Sequence, residues 1–196
     1  MLPSPLVRFI TTVYPMGMEQ AQEIAGMFVE REIEKNTLLF PSGKICNEYF
    51  FLETGLVRAH TQDLEGNDIT TAFYSPGQVV CDLFSFFKRV PSREEFRALT
   101  DCRTRVISFE DLQKAFHTLP VFREFGRTIL VNAYAQLKLR MLSTLHQTAE
   151  ERYRVLLLNN PDILQHAPLK SIASYLGVTD TSLSRIRKEV MKKHTS

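Results

Sequence analysis

The stretch LKSIASYLGVTDTSLSRIRK, Leu169–Lys188, decides the reading of this chain. Ile172 and Leu176 fall four apart and face one way on a helix. Ala173 stands where a second helix would cross, and a larger side chain there would push the two apart. Gly177 then supplies the turn, where a left-handed backbone is cheap only without a Cβ. Val178 plugs the space beneath it. Thr179 is a good N-cap for a second helix, with Asp180 in its first turn as the helix dipole prefers. Leu183 and Ile186 bury the inner face of that helix. Its outer face carries Thr181, Ser182, Ser184, Arg185 and Lys188, with Lys192 one turn further on. The spacing predicts a helix-turn-helix. Hydrogen-bonding and cationic side chains in such a row are the types that read base edges and hold phosphates. A purely structural helical hairpin is the alternative.

The charge distribution points the same way. The formal net charge is +2, but residues 168–196 hold six cations (Lys170, Arg185, Arg187, Lys188, Lys192, Lys193) against Asp180 and Glu189, or +4. The remaining residues 1–167 sum to −2. A nearly neutral body with a small basic tail suggests that the tail meets a polyanion, although a solvated basic helix would give the same count.

Upstream of this motif the pattern falls into two further parts. Residues 1–30 read as short helices, with Met18 to Val29 placing Met18, Ala21, Ile24, Ala25 and Phe28 at helical spacing. From about Arg31 to Ser108, apolar and β-branched runs alternate with turn signals. The runs are Leu38–Phe40, Tyr49–Leu52, Leu56–Thr61, Ile69–Tyr74, Phe96–Thr100 and Arg103–Ser108. Short strands roughly ten residues apart predict a sandwich or barrel, here a jelly roll. The helical period returns at Phe109, and a short helix ends near His117. Pro120 opens a long helix from Val121 to about His146. Its apolar residues Ile129, Leu130, Ala133, Leu137, Met141 and Leu145 suit a dimer seam, because one β-roll would struggle to cover about 39 Å of helix. Ala149 to Leu158 forms another helix, with Tyr153, Leu156 and Leu157 on one face. The expected class is therefore α+β. An N-terminal jelly-roll sensor spans 1–120, a dimerisation helix 121–147 and a helix-turn-helix domain 148–196.

This order of parts, together with Ile172–Thr179 and Leu183–Lys188, resembles the Crp/Fnr family of bacterial transcription regulators, most strongly over Ala149 to Lys188. The resemblance implies a cyclic-nucleotide-binding-like β domain that senses a small molecule or a redox state. It also implies a homodimer through the long helix, a palindromic promoter site as partner, and RNA polymerase as a further partner. It carries the guanine-reading arginine onto Arg185. The position where the family often has a glutamate is Thr181 here, which leaves the base preference open. The family usually continues into a β-hairpin wing, and this sequence leaves no room for a full one after Arg187.

The family's cyclic AMP cassette falls on Val80, Cys81, Asp82 and Leu83, then Ser92 and Arg93. Cys81 replaces its glycine and Asp82 its glutamate, and Glu94 and Glu95 directly follow Arg93. Carboxylates beside a phosphate site repel the ligand, so an effector other than cyclic AMP, or none, is expected. Phe84, Phe86 and Phe87 read as core, with an apolar pocket as the alternative.

Other chemistries find no support in the residues. Cys46, Cys81 and Cys102 are odd in number and widely spaced. That is neither a disulfide framework, nor a zinc pattern, nor an iron–sulfur cluster, and it fits a reducing cytoplasm. A cupin metal site needs His-x-His with a further Glu and His, and His60, His117, His146, His166 and His194 are isolated. No cofactor is predicted. Met1–Pro5 lacks the pattern of a signal peptide, and no apolar run has the length of a membrane span. Three readings stand: a dimeric DNA-binding regulator, a ligand-sensing module that binds a protein partner without DNA, and a cupin-like enzyme. The outer cations favour the first over the second, and the missing metal ligands disfavour the third.

Overall fold

The computed structural model describes residues 2–194, with side chains as far as Lys192. Two short helices, α1 (Pro5–Val13) and α2 (Met18–Gly26), precede the strands β1 (Val29–Ile33), β2 (Leu38–Phe40), β3 (Glu48–Thr54), β4 (Val57–Gln62), β5 (Asp68–Tyr74) and β6 (Val79–Val80). A one-and-a-half-turn helix α3 (Leu83–Lys88) interrupts them before β7 (Glu95–Ala98) and β8 (Cys102–Ser108). Helices complete the chain: α4 (Phe109–Thr118), α5 (Pro120–His146), α6 (Ala149–Asn159), α7 (Pro161–His166) and α8 (Leu169–Leu176), then α9 (Asp180–His194).

The strands form two four-stranded antiparallel sheets in the orders β1-β8-β3-β6 and β2-β7-β4-β5, which gives the expected jelly roll. The continuous apolar run of β3 is explained by cover on both sides. Phe50 meets Phe40 between the sheets at 5.2 Å, while Phe51 packs on Phe9 of α1 at 4.9 Å. Ser4 caps α1 by accepting from the Val7 amide, and Leu6, Val7 and Ile10 bury its inner face. The connection after β3 turns at Gly55, where φ is +99° and a Cβ would come within 2.6 Å of the Asp101 carbonyl. No other residue fits there without moving backbone.

Three details differ from the sequence reading. The helix expected to reach Val29 ends at Gly26, and Val29 instead opens β1, paired with Val106. The strand is an exposed edge of charged residues (Glu30, Arg31, Glu32), so it lacks the alternation that marks a half-buried strand. Second, the stripe Phe84–Phe87 is helical, because Asp82 caps α3 by accepting from the Ser85 amide at 3.0 Å. Third, core packing holds for buried Phe86 and half-buried Phe87, but Phe84 is 68% exposed on the outer side of that helix.

One apolar core fills the β-roll and takes in α1, α2, α4 and the base of α5 through Phe122 and Phe125. A second core joins α6 to α9 through Tyr153, Leu156, Ile163, Ile172, Leu183 and Val190, and it includes Leu56 from the β-roll. Beyond Ile129, α5 contributes to neither core.

Candidate nucleic-acid interface

The hairpin of α8 and α9 is built as its residue types dictate. Ile172, Ala173 and Leu176 on α8, and Leu183, Ile186 and Val190 on α9, are all buried. Gly177 ends α8 at φ +68°, donating its amide to Ser174, and the Val178 amide donates to Ala173. Thr179 accepts from the Ser182 amide at 3.2 Å and donates its hydroxyl to Ser182 Oγ, so its hydroxyl is spent on capping α9. Arg152 of α6 braces the same turn, donating to the Leu176 carbonyl at the C-terminus of α8 at 2.8 Å. Cations there offset the dipole of α8, a role to which no local pattern around Arg152 points.

With the inner face of α9 committed to the core, Asp180, Thr181, Ser184, Arg185 and Lys188 are exposed, and Lys192 continues the row. Thr181, Arg185, Lys188 and Lys192 are spaced by four, three and four, which places them on one side of the helix. No ion pair among the described residues engages Arg185 or Lys188.

The first helix of the hairpin is not free. Its Ser174 Oγ accepts from the Thr70 amide at 3.1 Å and shares a hydroxyl contact with Thr70 Oγ1 at 3.0 Å. Tyr175 meets Phe73 edge-on with centroids 5.2 Å apart, and the Arg140 guanidinium of α5 lies over the Tyr175 ring at 4.2 Å. Arg140 also donates to the Thr71 carbonyl, and Ser75 donates to Asn160. Thr70, Thr71 and Phe73 belong to β5, beside a bulge in its pairing with β4. The β-roll therefore grips α8 while the outer row of α9 stays open.

Of the residues expected to hold an effector, Val80, Cys81, Asp82 and Ser92 are buried, Leu83 is half-buried and Arg93 is exposed. Asp82 is occupied by the cap of α3. Ser92 is tied into its own loop, donating to the Glu94 carbonyl and accepting from the Glu94 amide, while its amide donates to Lys44. The side chain of Glu95 lies 3.6 Å from His60 Nε2 and 3.8 Å from Arg97 on the sheet. Burial pushes the Glu94 carboxyl above its usual range and the nearby Asp82 adds to the shift, while a hydrogen bond from the Thr71 side chain and the charge of Arg140 oppose it. His60 Nδ1 is buried without a hydrogen-bond partner. A separate apolar hollow lies between β3, α4 and α5, lined by Phe28, Tyr49, Phe87, Leu112, Phe116 and Phe125, and it shares no residue with the expected cassette.

Along α5, Ile129 packs on the β-roll core and Ala133 is half-buried, but Leu130, Leu137, Met141 and Leu145 are exposed. Leu137 and Leu145 expose 67% and 69% of their surface, and Val131, Tyr134 and Leu139 join them. No helix among the described residues is long and apolar enough to cross a membrane.

Comparison with known families and structures places these features. Residues 30–118 match the cyclic nucleotide-binding domain family. No curated protein matches by sequence. Among solved structures, a c-di-GMP-responsive global regulator, CLP, from Xanthomonas campestris superimposes with TM-score 0.69 at 16% identity, covering 91% of this chain and 93% of that one. FixK2 from Bradyrhizobium japonicum does so with TM-score 0.70 at 22% identity, over 85% and 86%. The catabolite activator protein of Thermus thermophilus gives 0.57 at 20%, over 97% and 88%. At these identities the likeness is one of fold.

Proposed function

We propose that this chain, a cyclic-nucleotide-binding-type β-roll within the fold of the Crp/Fnr transcription regulators, is a dimeric regulator that binds double-stranded promoter DNA. The observation that carries the reading is the outer row of α9. Thr181, Ser184, Arg185 and Lys188 are exposed on a helix whose inner face is fully spent on its own core. In this reading α9 enters the major groove with Arg185 donating to a base edge, and Thr179, Asp180 and Ser182 frame its N-terminus. Lys188 and Lys192 neutralise phosphates. Two such helices, related by a twofold axis along α5, reach successive grooves about 34 Å apart. The exposed Leu130, Leu137, Met141 and Leu145 then become the covered seam, with Ile129 and Ala133 at its margin.

The β-roll senses a small effector other than cyclic AMP. Support comes from Asp82 and the half-buried Glu94, which set negative charge where a cyclic phosphate would need cations, and from Arg93, which lies exposed. The unpartnered His60 Nδ1 is a buried polar atom that an effector could satisfy.

Selection of bound sequences from random duplex DNA tests the reading. A pseudo-palindromic consensus with half-sites one helical turn apart is the expected result. If no duplex is enriched and no salt-dependent binding is seen, the chain is instead a sensing module that docks a protein partner.

A further inference from the structure

Cys46 and Cys81 are 35 positions apart in sequence, but their Sγ atoms lie 3.8 Å apart in the β-roll. Cys102 is elsewhere, its sulfur set against the Leu56 and Thr100 carbonyls. We propose that Cys46 and Cys81 form a reversible intramolecular thiol–disulfide pair, oxidised by a small peroxide. A disulfide needs sulfurs about 2.05 Å apart, so closure asks for less than about 2 Å of movement. The inference rests on the β-roll alone and stands whether or not the chain binds DNA.

The chemistry divides between the two thiols. The hydrogen bond from Cys81 holds the Cys46 thiol below its ordinary value, despite burial. Burial pushes the Cys81 thiol well above its own. The thiol that ionises more readily is the nucleophile. Cys46 Sγ attacks one oxygen of hydrogen peroxide. The O–O bond breaks, water leaves and Cys46 becomes a sulfenic acid. Cys81 Sγ then attacks that sulfur. The S–S bond forms, the S–O bond breaks, and the hydroxyl leaves as water with the Cys81 proton. In sum, two thiols lose two hydrogens and one peroxide becomes two waters. A dithiol reductant reverses the step by exchange. Both cysteines are almost fully buried, which excludes bulky disulfides such as oxidised glutathione and leaves a small peroxide as the oxidant that local opening of the β-roll would admit.

The pair is wired to α3. The Cys46 amide donates to Ser85 Oγ at 2.9 Å, Arg89 donates to the Cys46 carbonyl at 3.1 Å, and Cys81 immediately precedes the cap Asp82. Drawing the sulfurs together therefore shifts the β6–α3 joint against the loop before β3.

The test uses the reduced full chain and hydrogen peroxide as the probe. Intact mass should fall by two hydrogens, alkylatable thiols should drop from three to one, and digestion should yield a single peptide pair cross-linked through Cys46 and Cys81. Dithiothreitol should restore all three thiols. The Cys102→Ser variant should form the same cross-link, its alkylatable thiols falling from two to none, and Cys81→Ser should stop at a Cys46 sulfenic acid that dimedone traps. If the folded wild type keeps three thiols under conditions that oxidise the urea-unfolded chain, the pair is core packing and the proposal fails. A cross-link through Cys102, or between two chains, overturns it equally.

Discussion

Arg185 and Lys188 stand three residues apart on the same exposed side of α9, yet they should fail in different ways when removed. A guanidinium can donate two parallel hydrogen bonds to guanine O6 and N7, discriminating by about 1–3 kcal/mol per half-site. An ammonium on a phosphate carries charge but no sequence information. Arg185→Ala should relax preference at one base pair in each half-site. Lys188→Ala should weaken all duplexes alike and reduce the salt slope by roughly one unit for each phosphate it leaves without a cation. Titrating both variants on matched and scrambled duplexes across a salt series separates the two, and equal weakening by Arg185→Ala would make Arg185 a backbone contact. Glu94 makes a residue-scale prediction about stability. Its folded pKa is raised, chiefly by burial. The unfolded chain then releases its proton more readily, so stability falls as pH climbs through the unfolded value of about 4.3 and up to the folded one. Glu94→Gln removes that loss. Urea melts should find the variant more stable than wild type near pH 7 and the gain gone near pH 3.5. A gain that persists in acid would show that packing, not ionisation, is responsible.

At the scale of the element, α5 is two helices in one. Its first turns are anchored by Phe122 and Phe125, tilted against each other and packed edge-on against Phe116 and Phe9 respectively. Gly126 lets α4 approach, since a Cβ there would come within 2.5 Å of the Phe116 ring. Beyond Ile129 the helix shows a line of exposed leucines, and at about 1.5 Å per residue most of its length lies past that point. Exposed apolar surface of this extent is what the proposed dimer would cover. Leu137→Glu places a charge in the middle of the line. Sedimentation at micromolar concentration should give a dimer for wild type and a monomer for the variant, with unchanged helix content by circular dichroism. A wild type that sediments as a monomer would leave the seam without a function.

For the whole molecule, the grip of β5 on α8 decides where α9 points. Ser174, Tyr175 and Arg140 tie the hairpin, the β-roll and the long helix at one place. An aromatic pair contributes about 0.5–1.5 kcal/mol beyond its buried area, and a cation over a ring about 0.5–2. Tyr175→Ala loses both, so the undocked state should become roughly tenfold more populated or better. Hydrogen exchange should quicken by that factor in α8 and β5, while the amides of β3 and β8 keep their wild-type protection. Uniform quickening throughout would mean global destabilisation instead of undocking.

Local pattern was enough to find most of the elements. The strand runs between Leu38 and Ser108, the proline opening α5 and the capped turn at Gly177–Thr179 all report the environment of their own residues, and periodicity carries that information. The row of α9 was legible for the same reason, since a helix with a committed apolar face must show its other side to solvent. The edge strand β1 and the capped α3 escaped, the first because charges on an exposed edge break alternation, the second because one Asp82 cap outweighed an apolar stripe. Tertiary structure alone decided which elements meet. Nothing local to Cys46 foretells Cys81, and nothing near Ser174 foretells Thr70, 104 positions earlier. A residue's type records that it will be buried or bonded, but its partner is set by how the chain closes on itself, and that closure is a property of the packed whole.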